Sequence, residues 1–288
     1  MTHLPVGTLL ALNGLYDLTA SATTHRRACT SIVTEDAEGR ISHGRNLDYP
    51  LASAMLNITY IVDWRHDAAG PVAFTSVGYL GQVGFNTAVR HGAFAVSQDE
   101  RDVGPITSDW LEFFLRRRIM TFSFLRELAQ SDASSTFEAA VVRAASVPLP
   151  APSYFILSGV AAGEGAVVTR GREPPANASR ADIVRLDAAA GRWYLLETNY
   201  DHGLPVDPHD DRRDVARRAL SRVGQSGAAS VDGLLAVLSE NGHCNKTRGE
   251  RPILNSDTVY TAAFSAALPG GGLQVVLRDP PAVDHCAE

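Results

Sequence analysis

Cysteine is scarce in this chain: Cys29, Cys244 and Cys286 are the only three in 288 residues. They are too few and too scattered for a disulfide framework, and no CxxC pair marks a zinc or redox site. Lysine is scarcer still, since Lys246 is the sole one and arginine carries the rest of the basic charge. The formal net charge is -6 with charged residues at 20%, a balance that gives no electrostatic reason to bind nucleic acid. No stretch approaches the roughly 18 apolar residues of a membrane span. The opening MTHLPVGTLLALNGLYDL has a short apolar run but neither a basic n-region nor a convincing small-x-small cleavage site, so a cytoplasmic location is expected. Repeats, low-complexity tracts and cofactor or metal signatures are also absent from the sequence.

What is present is a hydrophobic fraction of 45%, enough to bury one large core. Residues 1–28 read as a short lead-in that ends in the polar run SATTHRRA. From Cys29 onward strands come as hairpins across Gly-bearing turns. CTSIVTED and ISHGRNLDY flank AEGR, NITYIVDWRH and VAFTSVGYL flank DAAGP, and GAFAVSQDE adds another strand. Apolar residues recur at helical spacing from Trp110 through Phe113, Phe114, Ile119, Phe122 and Leu125 to Leu128, with Ser108 or Asp109 able to cap the helix. TFEAAVVRAASV is a second helix. SYFILSGV and AVVTRGR pair across AAGEG, and ADIVRLD and GRWYLLETNY read as a hairpin across AAA. Two further helices, DDRRDVARRALSRV and VDGLLAVLSE, precede VYTAAFSAAL, a PGGG turn and LQVVLRD.

Strands in hairpins and helices in pairs are not the βαβ alternation of a parallel sheet. Two antiparallel sheets covered by helix pairs would bury both sheet faces. The expectation is therefore an α+β fold, a four-layer αββα sandwich over 29–288, with a two-domain α+β arrangement as the alternative.

Cys29 sits where an irregular polar segment becomes a strand, and a free cysteine by itself reads as a small buried hydrophobe. Its hairpin, however, returns Arg45 and Asp48 to its side, and a guanidinium beside a thiol favours the nucleophilic thiolate. The same two residues also read as a plain ion pair. His43 and His202 lie beside the notable segments and read as structural hydrogen-bonders. Asn199, taken alone, is a turn residue after a strand. Asp210 and Asp211 read as helix caps with Arg212 in solvent.

Six blocks in order, CTSIV at 29–33, HGRNLDYP at 43–50, DERD at 99–102, ETNYDH at 197–202, DDRR at 210–213 and VYT at 259–261, make the chain resemble the acid ceramidase and N-acylethanolamine-hydrolysing acid amidase family. That family is related more distantly to the choloylglycine hydrolases, which include bile salt hydrolases and penicillin V acylases. The resemblance implies an N-terminal-nucleophile (Ntn) hydrolase fold. It also implies self-cleavage between Ala28 and Cys29, after which Cys29 is the nucleophile and its α-amine the base. Arg45 and Asp48 match the family residues beside the nucleophile, and Glu100 one implicated in self-cleavage. Asn199 matches the oxyanion-hole asparagine and Arg212 a second active-site arginine. The implied partner is a small-molecule N-acyl amide such as a fatty acyl ethanolamide, with peripheral lipid contact, no cofactor and no metal. Residues 1–28 are either removed or retained as a small peptide, and oligomeric state is left open. The relatives carry a longer segment before the nucleophile, which weakens membrane-bound ceramide as the substrate. An acylase for penicillin V, acyl-homoserine lactones or conjugated bile acids is a second reading, and a catalytically inactive lipid-binding protein a third. The apolar surface around Trp110–Leu128 is a candidate wall for an acyl chain.

Overall fold

The structure, a computed structural model, describes residues 5–21, 29–49, 52–175, 182–205, 210–240 and 249–278. Cys244 and Cys286 lie outside them, as does the polar run that ends the lead-in after Ser21. The strands form two antiparallel sheets. The five-stranded sheet runs, edge to edge, β10 (Tyr194–Glu197), β1 (Thr30–Glu35), β2 (Ile41–Asp48), β11 (Thr258–Phe264) and β12 (Gln274–Leu277). The seven-stranded sheet follows chain order: β3 (Thr59–Arg65), β4 (Val72–Tyr79), β5 (Thr87–Arg90), β6 (Phe94–Glu100), β7 (Ser153–Ser158), β8 (Gly165–Arg170) and β9 (Asp182–Arg185).

Helices α5 (Thr121–Gln130) and α6 (Phe137–Ser146) cover the outer face of the larger sheet, where Phe85, Phe94, Phe124, Phe137 and Phe155 are buried. Helices α7 (Arg212–Ala228) and α8 (Val231–Leu238) cover the smaller sheet through Ile32, Leu220, Leu234 and Leu238. The inner faces meet through two apolar clusters, one around Leu47, Val77, Tyr260 and Phe264 and one around Val33, Ile156, Val167 and Leu195. The order of layers is helix, sheet, sheet, helix, the α+β four-layer αββα sandwich expected from the hairpin and helix-pair pattern.

Strand alternation explains the HGRN block. His43 and Arg45 of β2 reach the opposite sheet, His43 bonding Ser97 and Ser158 and Arg45 donating to the carbonyls of Asn86 and Gln98. Gly44 and Asn46 face the helix layer. A Cβ at Gly44 would stand 2.9 Å from Leu238 Cδ1. Asn46 Nδ2 donates to the carbonyls of Leu238 and Ile253, each at 2.9 Å.

Three local readings are corrected. The helix expected through Trp110–Leu128 is broken. A short helix α4 (Ile106–Trp110) runs into a π-helical turn at Leu111–Leu115, and the chain then leaves helical geometry before α5. Arg117 has φ of 51°, a conformation no helix interior holds. Asp109 does not cap the helix: it is buried and paired with Arg172. ADIVRLD and GRWYLLETNY do not form one hairpin either. β9 ends the larger sheet and β10 begins the smaller, joined only by the bridge Asp187–Arg192, so this connection crosses between layers. β5, four residues long, is a strand that the hairpin pattern does not predict.

Helix α3 (Ala52–Leu56) lies between β2 and β3, and before Cys29 the chain forms α1 (Val6–Asn13) and α2 (Leu15–Thr19). Buried polar groups fasten both to the sandwich. Asn13 donates to Gly81 O at 2.9 Å and accepts from Val83 N at 2.6 Å. Asp17 accepts from Thr121 N and Oγ1, and the Tyr16 hydroxyl donates to Pro152 O.

Candidate active site

Cys29 lies at the head of β1, 4% exposed and packed among the inter-sheet apolar residues. Its main chain is held from both sides. Its N–H donates to Asn199 Oδ1 at 2.6 Å, and its carbonyl accepts from Arg212 Nη1.

Arg212 is fully buried at the first turn of α7. Asp210 grips it bidentately, at 2.8 Å to Nε and 2.8 Å to Nη2. The same guanidinium donates to Thr198 O at 3.1 Å, Asn199 Oδ1 at 3.0 Å and Thr30 Oγ1 at 3.2 Å. Asp211 is the N-cap, accepting from Asp214 N at 2.8 Å. The adjacent aspartates of DDRR therefore divide the work: one caps the helix, while the other neutralises an arginine that is not in solvent.

Asn199 follows β10 in the left-handed conformation, with φ of 72°. Asparagine tolerates this region better than most residues. Its Oδ1 accepts from two donors, and its Nδ2 donates to Glu100 O at 2.9 Å. Only this orientation of the amide satisfies all three partners. An amide NH₂ carries two hydrogens, and one of them serves Glu100.

Arg45 is buried opposite β6. Its Nη1 donates to Asn86 O at 2.9 Å, Gln98 O at 3.1 Å and Thr87 Oγ1 at 3.2 Å, while its Nη2 lies 3.2 Å from Asp99 Oδ1. Asp48 ends β2 and accepts from Asn255 Nδ2 at 2.8 Å. Glu100, at the end of β6, is buried and meets Asn199 through its backbone carbonyl. The fold thus gathers Cys29, Arg45, Asp48, Glu100, Asn199 and Arg212 at one end of the sandwich, where β1, β2, β6 and the segment after β10 converge.

Burial governs the electrostatics. The Cys29 thiol is pushed up to about 12 by desolvation. The Arg45 charge and a hydrogen bond from the Asp48 backbone act against that, and the carboxylates of Asp99 and Asp48 reinforce it. Arg45 does favour the thiolate, as its place in the hairpin suggests, but burial wins. The Asp48 carboxyl is raised to about 7 by burial, with Arg212 opposing. Asp99 is raised to about 6 by burial, with Arg45 opposing. His43 is held neutral by desolvation, down to about 3, and hydrogen-bonds Ser97 and Ser158. His202 has its Nε2 3.2 Å from Leu196 O. Both histidines are structural hydrogen-bonders.

Three residues of this centre escaped the sequence. Asp99 faces Arg45 and accepts from Ser31 at 2.9 Å. Its signal was strand alternation, because in DERD it is Asp99, not Glu100, that points between the sheets. Asp210 gave no signal beyond its capping propensity. Asn255 lies in a loop that the chain pattern leaves silent. Among the described residues no cluster of His, Cys, Asp and Glu could hold a metal ion, and no helix is long and apolar enough to cross a membrane.

An apolar cavity of about 130 Å³ adjoins the centre. Tyr79 is part of its wall and also belongs to the cluster around Cys29. Tyr49, Met55, Ile58 and Phe122 line it as well, together with Leu12 and Leu15 from the segment before Cys29. Of the expected Trp110–Leu128 wall, Phe122 contributes, whereas Trp110, Phe114 and Leu115 are exposed at 45%, 60% and 74%.

No protein-family model matches the chain. It is 42% identical over 246 residues to N-acylethanolamine-hydrolyzing acid amidase of Oryctolagus cuniculus, a match covering 84% of this chain and 62% of that protein. The chain therefore spans less than two thirds of that relative's length. It is 30% identical over 301 residues to acid ceramidase of Homo sapiens, covering 99% of this chain and 69% of that protein. The solved structure of a Caenorhabditis elegans N-acylethanolamine-hydrolyzing acid amidase ortholog superposes with a TM-score of 0.72 at 28% identity, over 86% of this chain and 100% of that one. With the site's geometry and these relatives together, the chain belongs to the N-acylethanolamine-hydrolyzing acid amidase and acid ceramidase family.

Proposed function

We propose that the protein is an N-terminal-nucleophile amidase, activated by its own cleavage before Cys29, that hydrolyses N-acyl amides to a carboxylic acid and an amine. The observation that carries this reading is the grip on the Cys29 main chain. A buried thiol nucleophile alone would need no asparagine oxygen 2.6 Å from its backbone nitrogen. A nitrogen that becomes the catalytic base does need one, to hold it in place. While it is a peptide amide it is no base; as a free α-amine it titrates near pH 8 in reference compounds.

In self-cleavage the Cys29 sulfur adds to the Ala28 carbonyl carbon. The Ala28–Cys29 C–N bond breaks to leave a thioester and the α-amine, which takes the thiol proton; water then hydrolyses the thioester, releasing the acyl segment as a carboxylic acid and restoring the thiol. In turnover the α-amine takes the thiol proton and the sulfur attacks the substrate carbonyl. The oxyanion is met by the Asn199 amide hydrogen not used by Glu100. The tetrahedral adduct then collapses and expels the leaving amine, which takes the proton back. Water, activated by the same α-amine, hydrolyses the thioester. Arg45 supports the anionic sulfur, Asp48 and Arg212 hold the residue in register, and Glu100 assists the first cleavage.

For substrate, a fatty acyl ethanolamide is the reading that the 42% identity to an N-acylethanolamine-hydrolyzing acid amidase supports. The cavity beside Tyr79 is apolar, and at about 130 Å³ it is smaller than the roughly 300–1,000 Å³ of typical ligand sites. It takes the start of an acyl chain, with exposed Leu12, Leu15 and Leu80 at its rim. The anchors on Asn13, Tyr16 and Asp17 favour retention of residues 1–28 as a bound peptide after cleavage.

The test is intact-mass analysis of wild type and Cys29→Ala at pH 5 and pH 8, with turnover measured on N-acylethanolamines, a ceramide and penicillin V. Wild type should break before residue 29 and hydrolyse the ethanolamides fastest; Cys29→Ala should do neither. An uncleaved wild type that still turns over substrate would overturn the mechanism.

A further inference from the structure

Resting on that reading, we propose that Arg101 and Asp201 are positioning residues: they form an ion-pair clip between the two sheets that holds Asn199 in its left-handed conformation beside Cys29.

Arg101 directly follows Glu100 at the end of β6, in the larger sheet. Asp201 lies two residues beyond Asn199, after β10 of the smaller sheet. Arg101 Nε donates to Asp201 Oδ1 at 2.7 Å and Nη2 to Oδ2 at 2.6 Å, a bidentate fork. Tyr154 of β7 donates its hydroxyl to the same Oδ1 at 2.6 Å, and Arg101 Nη1 donates to Arg170 O at 3.2 Å. The bond from Asn199 Nδ2 to Glu100 O is a parallel rung of the clip, one residue inward on β6 and two on the turn. From the other side Arg213 lies 3.7 Å over the Tyr200 ring and donates to the carbonyls of Tyr200 and Asp201.

Asparagine takes a φ of 72° at modest cost, but its own backbone does not select that turn over the alternatives, so its neighbours must. Here the residue on one side of Asn199 is held by Arg212 through Thr198 O, and the residues on the other side by Arg213 and the clip. Neither Arg101 nor Asp201 touches Cys29. The pair is 18% and 25% exposed and bidentate, so it adds to stability as well as to geometry; its place at the ends of β6 and β10 directs its effect to where the Asn199 amide stands.

The experiment compares wild type with Asp201→Asn, Arg101→Gln and the double variant. A misplacement near 1 Å can cost on the order of 100-fold in rate. Each single variant should lower kcat and the rate of self-cleavage by about 10–100-fold, with KM within about twofold and the thermal midpoint within about 3 °C. The double variant should be no slower than the slower single. Wild-type kcat in the singles, a rise confined to KM, or losses that multiply in the double would each overturn the clip. A crystal structure of Asp201→Asn separates this from the activity itself. Asn199 should leave the left-handed region and withdraw from the Cys29 nitrogen; unchanged geometry overturns the clip whatever the wild type's activity. A wild type that neither cleaves nor hydrolyses, beside an Asp201→Asn structure with Asn199 displaced, overturns the amidase reading and leaves the clip standing.

Discussion

Replacing Asp17 by asparagine should stabilise this protein at pH 8 and leave it nearly unchanged at pH 4. Asp17 is fully buried under α5 and accepts from both the backbone N–H and the hydroxyl of Thr121. Burial raises its carboxyl from 3.8 to about 7, against the pull of those two hydrogen bonds. The folded-state pKa of an acid then lies above its unfolded value, so between about pH 4 and pH 7 the native state binds more protons than the unfolded one. Stability falls as pH rises through that window and is flat outside it. A shift of about three units at about 1.4 kcal/mol each is worth on the order of 4 kcal/mol at pH 8. Asparagine resembles the protonated acid: it keeps an acceptor for Thr121 and carries no charge. For a chain of this size the gain at pH 8 corresponds to about 8–16 °C in thermal midpoint. Differential scanning calorimetry of both proteins at pH 4, 6 and 8 measures it as a difference of differences, in which the raised carboxyls of Asp48, Asp99 and Glu197 cancel. An Asp17→Asn protein less stable than wild type at pH 8, or a gain equal at every pH, would refute the reasoning.

Arg212→Lys keeps the charge but loses the fork that spans Asp210, the Cys29 carbonyl and Asn199; self-cleavage followed by mass should slow by about 10–100-fold, because a lysine is not a bidentate donor. Gly44→Val drives a side chain into Leu238 and Leu234 of α8, and urea unfolding should show a loss of about 1–3 kcal/mol from overpacking. Met55→Trp fills the apolar cavity beside Tyr79; kcat/KM for long-chain acyl ethanolamides should fall at least about tenfold relative to a short-chain one, and equal losses across chain length would move the acyl site elsewhere.

The sequence by itself determined the layer plan and pointed to six residues that the fold brings to one end of the sandwich. Hairpins with Gly-bearing turns and helices in pairs leave two antiparallel sheets with helices outside, because period-2 and period-3.6 apolar patterns dictate which faces are buried. The ordered blocks around Cys29, Arg45, Asp48, Glu100, Asn199 and Arg212 named the residues that the fold gathers. Contacts distant along the chain were beyond it. Asp99 and Glu100 are neighbours in one block, yet only strand alternation in an assembled sandwich turns Asp99 toward Arg45. Arg212, surface-like by pattern, is buried because Asp210, two residues before it, supplies its counter-charge. The break after Leu115 and the crossing from β9 to β10 were set by packing between layers, which overrides local periodicity. The thiol of Cys29 shows the division most plainly: its Arg45 neighbour was legible in a hairpin, but the burial that outweighs that neighbour exists only once the two sheets close on each other.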